Sequence, residues 1–245
     1  LGNSFIFRSG SSYNRISGDD IMKLFFLHIP KTGGTSFIRL LEKTSFRNSH
    51  KLFNVSTTGK TDDLKTLNKD FVSGHIDFID VNKHIDTYKF VTILRDPVER
   101  CISWYKYVKT HNFSNFGKSA KDNHSLETMS NGKHPEIITN CHNTVTYMLG
   151  DHGNAYRRTL SPEECLKNAK ENIAKFDDVL FFDNLAEDFK IFVSKYKLNC
   201  GKLRRLNATD GVDVDITPKA IMNFKKCNEL DIELFDYARE LFGGK

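Results

Sequence analysis

Leu24–Lys43 reads LFFLHIPKTGGTSFIRLLEK. Leu24, Phe25, Phe26, Leu27 and Ile29 form an apolar run that stops at Pro30, which predicts a buried strand. Apolar residues return at Phe37, Ile38, Leu40 and Leu41, in helical spacing around polar Arg39, Glu42 and Lys43. A short turn carrying Gly33 and Gly34 joins the two. A strand that runs into a glycine turn and opens a helix can make an anion site. The glycines let the backbone approach, the first-turn N–H groups have no helical acceptor, and the helix dipole favours negative charge there. Lys31 adds a mobile cation, and Thr32, Thr35 and Ser36 add hydroxyl donors. The plainer reading is a strand–turn–helix connection without a ligand; a lysine and three hydroxyls gathered around two glycines argue against it.

The nucleoside-triphosphatase loop does not fit this turn. That motif ends Gly-Lys-Ser/Thr, with lysine after the glycines, whereas Lys31 precedes Gly33 and Gly34 here.

Working outward, 245 residues at 39% apolar can bury one core, or one core with a small annex. No apolar run approaches the roughly 18 residues that span a bilayer. The net charge of +5 and pI near 8.8 are a modest excess that suits an anionic cofactor and an anionic acceptor. Lys and Arg are scattered rather than striped as in a nucleic-acid binder. Cys101, Cys141, Cys165, Cys200 and Cys227 form no C-x-x-C pair, which argues against zinc or a redox dithiol, and their odd number fits a reducing compartment. The N-x-S/T sequons at Asn54, Asn112, Asn123 and Asn207 carry little weight in an Asn-rich chain. Residues 1–21 are polar and lack an amphipathic period, so they read as an added leader or a disordered tail, with Met22 as the start and 22–245 as a single domain. That reading implies a cytoplasmic protein; the alternative is the luminal part of a truncated Golgi-type enzyme.

Further along, Phe71–Gly74, Tyr88–Leu94 and Val179–Phe182 read as strands. Asn48–Lys60 reads as polar and turn-like, and Asp62–Leu67 as a helical turn. Pro97 starts a helix of about three turns, on which Val98, Cys101, Ile102, Tyr105 and Val108 recur. His111–His134 shows no period, Glu136–Leu149 reads as one helix ended by Gly150, and Ser161 opens another with a capping box. Helices follow at Leu185–Tyr196, from Thr217-Pro218, and at Ile232–Leu241, with Leu198–Ile216 irregular. Strands separated by helices predict an α/β fold with a largely parallel central sheet. In such sheets ligands sit at the carboxyl ends of the strands, where PKTGGTS falls.

PKTGGTS resembles the 5′-phosphosulfate loop of sulfotransferases that use 3′-phosphoadenosine 5′-phosphosulfate (PAPS). The likeness is to the branch that includes the heparan sulfate 2-O- and 6-O-sulfotransferases and bacterial relatives. RDPVERCISWYKYV is similar to that family's 3′-phosphate motif, with Arg95 leaving a strand and Ser103 eight residues on. A guanidinium forks onto phosphate oxygens and a hydroxyl completes the grip. The resemblance implies a P-loop-NTPase-like sulfotransferase fold and PAPS as cofactor, with adenosine 3′,5′-bisphosphate (PAP) as product and no metal. Lys31, Thr32, Gly33, Gly34, Thr35, Ser36, Arg95 and Ser103 would then hold the nucleotide. LRRLNATD resembles the family's late loop, which adds Arg205, Asn207 and Thr209, with Arg204 beside them.

VSGHIDF resembles the family's Gly-His segment, with His75 at the second histidine position of its His-Gly-His form and Ser73 at the first. A neutral imidazole suits removal of a sugar hydroxyl proton, so His75 is the expected base and Asp77 the fallback. His28 reads as structural, though near enough in sequence to touch the cofactor. ITNCHNTVTYMLG resembles the helix beside the acceptor, which puts Asn140, His142, Asn143 and Tyr147 toward the substrate. Tyr147 stands where relatives often have Arg, which argues against a heparan-like acceptor. Phe113, Phe116 and Trp104 are candidates to stack on a sugar or an aromatic small molecule. The expected partner is a hydroxyl-bearing acceptor, saccharide or small molecule, with neither nucleic acid nor a membrane span. The rival functions are a nucleotide-dependent kinase whose metal would need Asp96, and a non-catalytic binding protein on the same scaffold.

Overall fold

A computed structural model describes residues 22–46, 49–52, 69–110, 125–200 and 212–244. Five strands, β1 (Leu24–Leu27), β2 (Ser49–Leu52), β3 (Phe71–Gly74), β4 (Lys89–Leu94) and β5 (Asp178–Phe181), form one sheet in the order β2-β3-β1-β4-β5. All of its pairings are parallel.

Side chains alternate cleanly between the two faces. Phe25, Leu27, Val72, Phe90, Leu94, Val179 and Phe181 face one core, and Leu24, Phe26, Phe71, Val91, Ile93 and Leu180 face the other. A sheet buried on both faces needs near-continuous apolar strands, which is why β1 and β4 are easy to read in the sequence. Helices α1 (Gly34–Thr44) and α8 (Leu185–Lys195) cover the second face through Phe37, Ile38, Leu41, Phe189 and Phe192. The first face is covered by the short α2 (Phe78–Val81), α6 (Thr144–Gly150), α7 (Pro162–Ile173) and α10 (Glu229–Phe242).

A satellite core lies among α3 (Pro97–Thr110), α4 (Leu126–Ser130), α5 (Pro135–Cys141) and α9 (Pro218–Cys227). Trp104 is 6% exposed inside it, so it is a packing residue and not the stacking platform expected for an acceptor.

Three elements differ from the sequence reading. β2 forms within the stretch read as turn-like, because SHKL pairs along β3 at the sheet edge without an apolar pattern of its own. α4 forms inside the stretch read as lacking a period, started by the Ser125 hydroxyl accepting from Thr128 N. The single helix expected over Glu136–Leu149 is two helices, α5 and α6, broken at His142 and Asn143. Asn143 adopts the left-handed conformation (φ 51°), and its Oδ1 accepts from Leu230 N and Asp231 N. Asp231 in turn accepts from Val145 N, Thr146 N and the Thr146 hydroxyl, and lies 3.8 Å from the fully buried Arg100. The break is therefore imposed from α10, about ninety residues away, by hydrogen bonds of the Asn143 amide and the buried Asp231 carboxylate. Among the described residues no helix is long and apolar enough to cross a membrane.

Candidate active site

Register brings the pieces of the site together. Leu27 pairs with Gly74 on one side and Thr92 on the other, and His28 N donates to Gly74 O at 2.9 Å. Carried past the strand ends, this register sets His28 beside His75 and Pro30 level with Arg95. The carboxyl ends of β1, β3 and β4 thus lie side by side, at the place where the strand order reverses.

The turn after β1 is built to leave a helix end open. Lys31 (φ 70°) and Gly33 (φ 86°) are both left-handed. That conformation costs a side-chain-bearing residue about 1–2 kcal/mol, and such strain collects at functional sites. The Thr32 hydroxyl donates to Ile29 O at 2.8 Å and the residue is fully buried. It staples the turn, so the hydroxyl proton of Thr32 is committed within the turn and is not the ligand donor expected of it. Gly33 caps α1 with no side-chain hydrogen bond, and the first turn holds no acidic residue. The helix end therefore presents N–H groups and positive potential without a competing carboxylate. Gly33 and Gly34 lie here, with Thr35 part-exposed and Ser36 buried, its N–H turned to Gly33 O.

Both glycines are required by packing. A Cβ on Gly33 would meet the Phe182 ring at 3.1 Å and Leu185 at 3.3 Å. A Cβ on Gly34 would lie 2.3 Å from His28 Cδ2 and 2.8 Å from the Phe26 ring. We expect Gly34→Ala to cost about 1–3 kcal/mol in urea unfolding, because two buried rings must move; an unchanged midpoint would disprove the close packing.

Around this turn stand the cations. Arg95 Nη1 donates to Lys31 O at 3.5 Å, its guanidinium lies 4.1 Å from the centre of the Phe182 ring, and its Nε pairs with Glu99 at 3.3 Å. Lys31 Nζ lies 3.7 Å over the Tyr107 ring. Tyr107 and Ser103 are one turn apart on α3 and so share a face. Lys31 thus meets both neighbouring segments, its carbonyl accepting from Arg95 and its ammonium lying over the ring one turn from Ser103. Burial first, then the Arg95 charge, pulls the Lys31 ammonium down to about 8.

The candidate bases are sharply distinguished. His75 is exposed, and its Nδ1 lies 2.6 Å from His28 O. A carbonyl can only accept, so Nδ1 carries the proton and Nε2 is the basic nitrogen. Asp77 is 3% exposed, its Oδ1 accepting from Gly153 N at 3.0 Å and its Oδ2 lying 3.3 Å from His152 Nδ1. Burial raises its pKa. Asp77 ties the loop after α6 to the turn bearing His75, and is poorly placed to meet a substrate proton.

Of the residues expected beside the acceptor, two are engaged elsewhere. Asn140 Nδ2 donates to Glu136 O at 2.8 Å and its own carbonyl accepts from Arg100, while Asn143 holds the α5–α6 break to α10. Both therefore serve the fold, a correction to their expected substrate role. His142 is part-buried and held below its ordinary pKa by burial and by Arg158, so it is neutral. Tyr147 carries the Arg158 guanidinium 3.7 Å from its ring centre. Arg205, Asn207 and Thr209, with Arg204, Phe113, Phe116, the Asp62–Leu67 turn and the four sequons, lie outside the described residues. Sequence reasoning missed Tyr107, Phe182 and Arg158. Only Tyr107 had a signal, its place one turn beyond Ser103.

A family model described as the sulfotransferase family matches residues 15–238. The chain belongs to that family. This sulfotransferase is 25% identical over 97% of its length to heparan-sulfate 6-O-sulfotransferase 2 of Gallus gallus, spanning 72% of that protein. It is 25% identical over 93% of its length to heparan-sulfate 6-O-sulfotransferase 2 of Danio rerio, spanning 59% of it. The crystal structure of mouse sulfotransferase SULT7A1 complexed with PAP gives a TM-score of 0.42 at 12% identity, over 87% of this chain and 66% of that one. At that distance it positions no residue here.

Proposed function

We propose that this sulfotransferase moves the sulfuryl group of PAPS to a saccharide hydroxyl, with His75 as general base. The observation that supports the reading is the contact between the two cation-bearing segments, Arg95 Nη1 donating to Lys31 O. The residues fit the nucleotide: an uncapped helix end and Lys31 suit the phosphosulfate, and Arg95 with Ser103 suits the 3′-phosphate. When bound, PAPS supplies the sulfuryl group and a bisphosphate leaving group. Lys31 and the α1 N–H groups balance charge that grows on the leaving oxygen. His75 Nε2 takes the acceptor hydroxyl proton as its oxygen attacks sulfur, while Nδ1–H stays on His28 O. The sum is R–OH plus PAPS giving R–OSO₃⁻, PAP and a proton.

The relatives' names support a heparan-type acceptor. So does Arg158, which brings a guanidinium to the Tyr147 position where the sequence had argued against one. Of the two compartments weighed from the sequence, these relatives favour the luminal one. Asp96, the residue the kinase reading needs for its metal, has Oδ1 engaged as acceptor from Glu99 N at the start of α3, which favours the sulfotransferase reading. The test is calorimetry with PAP against ATP–Mg²⁺, then transfer of radiolabelled sulfate from PAPS to heparan sulfate. PAP binding without magnesium and label in the polysaccharide are expected. PAP binding without transfer to any glycan would make the chain a non-catalytic binder.

The lowered Lys31 pKa has a consequence for nucleotide affinity. Below pH 8 the ammonium is already charged; above it, an anion must first restore the proton. PAP affinity is therefore expected to be level on the acid side of 8 and to fall by up to about tenfold per unit above it, with proton uptake in calorimetry. Lys31→Met should abolish that alkaline fall; a fall that persists in the variant would assign it to another group.

A further inference from the structure

We infer that Asp77, Asp80 and His152 form a site for one zinc-class divalent cation, which clips the loop after α6 to the turn that carries His75. The inference does not rest on the transfer reaction. Each of the three residues offers one ligand atom, and these atoms all lie within 4.8 Å of one another. An ion can therefore sit within about 2.8 Å of all three, and a closure of about 0.6 Å brings it to the roughly 2.0–2.2 Å of Zn–O and Zn–N bonds. Asp77 is the buried member, its side chain 4% exposed. Gly153 N donates to its Oδ1 at 3.0 Å and fixes the carboxylate, while Oδ2 turns to His152. Asp77 stands at the N-cap of α2 yet makes no side-chain cap bond. Asp80 lies one turn further on, and its Oδ2 is shut off from solvent with no hydrogen-bond partner among the described residues.

Two carboxylates this close, one of them buried, call for positive charge between them. Burial, and beyond it the Asp80 charge, raise the pKa of Asp77. A protonated His152 has a single N–H at Nδ1 and serves one carboxylate, whereas an ion serves both. The observed spacing also suits an ion better. His152 Nδ1 lies 3.3 Å from Asp77 Oδ2. A charge-assisted hydrogen bond closes to about 2.7–2.9 Å, while neighbouring ligands on a zinc tetrahedron stand about 3.4 Å apart. An imidazole with two carboxylates favours zinc over magnesium or calcium, which take oxygen ligands. The His152 side chain is 17% exposed, which leaves an entry path and room for water as a fourth ligand. None of the cysteines takes part.

The test is calorimetry and thermal melting of the chelator-stripped chain with zinc, magnesium or calcium chloride. One zinc per chain is expected, with the melting temperature raised by about 5–10 °C at a hundredfold excess over Kd. Asp80→Asn and His152→Gln should each weaken zinc by about a hundredfold or more. Asp80→Asn also carries its own folding control. In chelator it should melt at or above the wild type, because a repulsion is gone, and in zinc below it. Zinc binding that neither variant weakens would place the ion elsewhere, at the free thiols for instance, and overturn the inference. So would a wild type that takes up no zinc at millimolar concentration, which leaves His152 as the counter-charge. Calcium bound more tightly than zinc, or an Asp80→Asn chain that melts below the wild type in chelator, would overturn it as well.

Discussion

Lys31→Ala is expected to lower kcat by about a hundredfold to a thousandfold while the protein stays folded. The loss follows from where the ammonium sits. It is partly buried, crowded by Arg95, and held over the Tyr107 ring at the mouth of an uncapped helix end. Its charge is therefore poorly solvated and ready to be used. Interactions that strengthen as charge develops on the leaving oxygen raise kcat rather than ground-state affinity. PAP lacks the sulfuryl group, so its affinity should fall less than kcat does, and single-turnover kinetics separates the two. Lys31→Arg is expected to recover little, since a planar guanidinium does not deliver a compact point charge from a left-handed backbone position. A Lys31→Ala enzyme within about fivefold of wild type in kcat would mean that the backbone N–H groups and Arg95 suffice, and that Lys31 only binds.

What was legible in the sequence divides along physical lines. β1, β4 and β5 are apolar on both faces because both faces of the sheet are covered, and a two-sided apolar run is visible in any window. The starts of α3 and α7 are written in local chemistry: Asp96 and Pro97 at one, the Ser161–Glu164 capping box at the other. The anion turn was legible for the same reason, since glycine, lysine and hydroxyls act within a few residues of one another.

What stayed hidden was set from far along the chain. The kink at Asn143 is invisible locally because its hydrogen-bond partners are at Leu230 and Asp231. Thr32 looked like a ligand donor because sequence cannot say that its hydroxyl turns back to Ile29. Phe182 becomes part of the site only because β5 ends beside β4 and carries its ring under Arg95 and Gly33. The acceptor side was the least legible. Asn140 and Asn143 matched a motif by residue type, yet their amides bond to the backbone, and the cation near Tyr147 arrives from a loop eleven residues later.

His75→Ala should lower kcat by about a thousandfold, within the range that general bases supply, with PAP affinity within about threefold of wild type. The His28 ring packs against Gly34 and stacks on His75, so removing the His75 side chain leaves that packing of the anion turn in place. His75 is exposed and its ring is bonded through one nitrogen to a backbone carbonyl, so truncation opens no cavity in either sheet core. The thermal midpoint is accordingly expected to move by no more than a few degrees. If the imidazole is the proton acceptor, the kcat–pH profile of the wild type should rise through a single acid limb as Nε2 loses its proton. That limb should vanish in His75→Ala, leaving slow, pH-insensitive transfer. Asp77→Asn discriminates between the two candidate bases. It keeps an oxygen to accept from Gly153 N but replaces the carboxylate oxygen that faces His152 by an amide donor, so it should loosen the loop after α6 and raise KM for heparan sulfate without erasing the acid limb. A limb that disappears with Asp77→Asn and persists in His75→Ala would reverse the assignment and make the buried carboxylate the base.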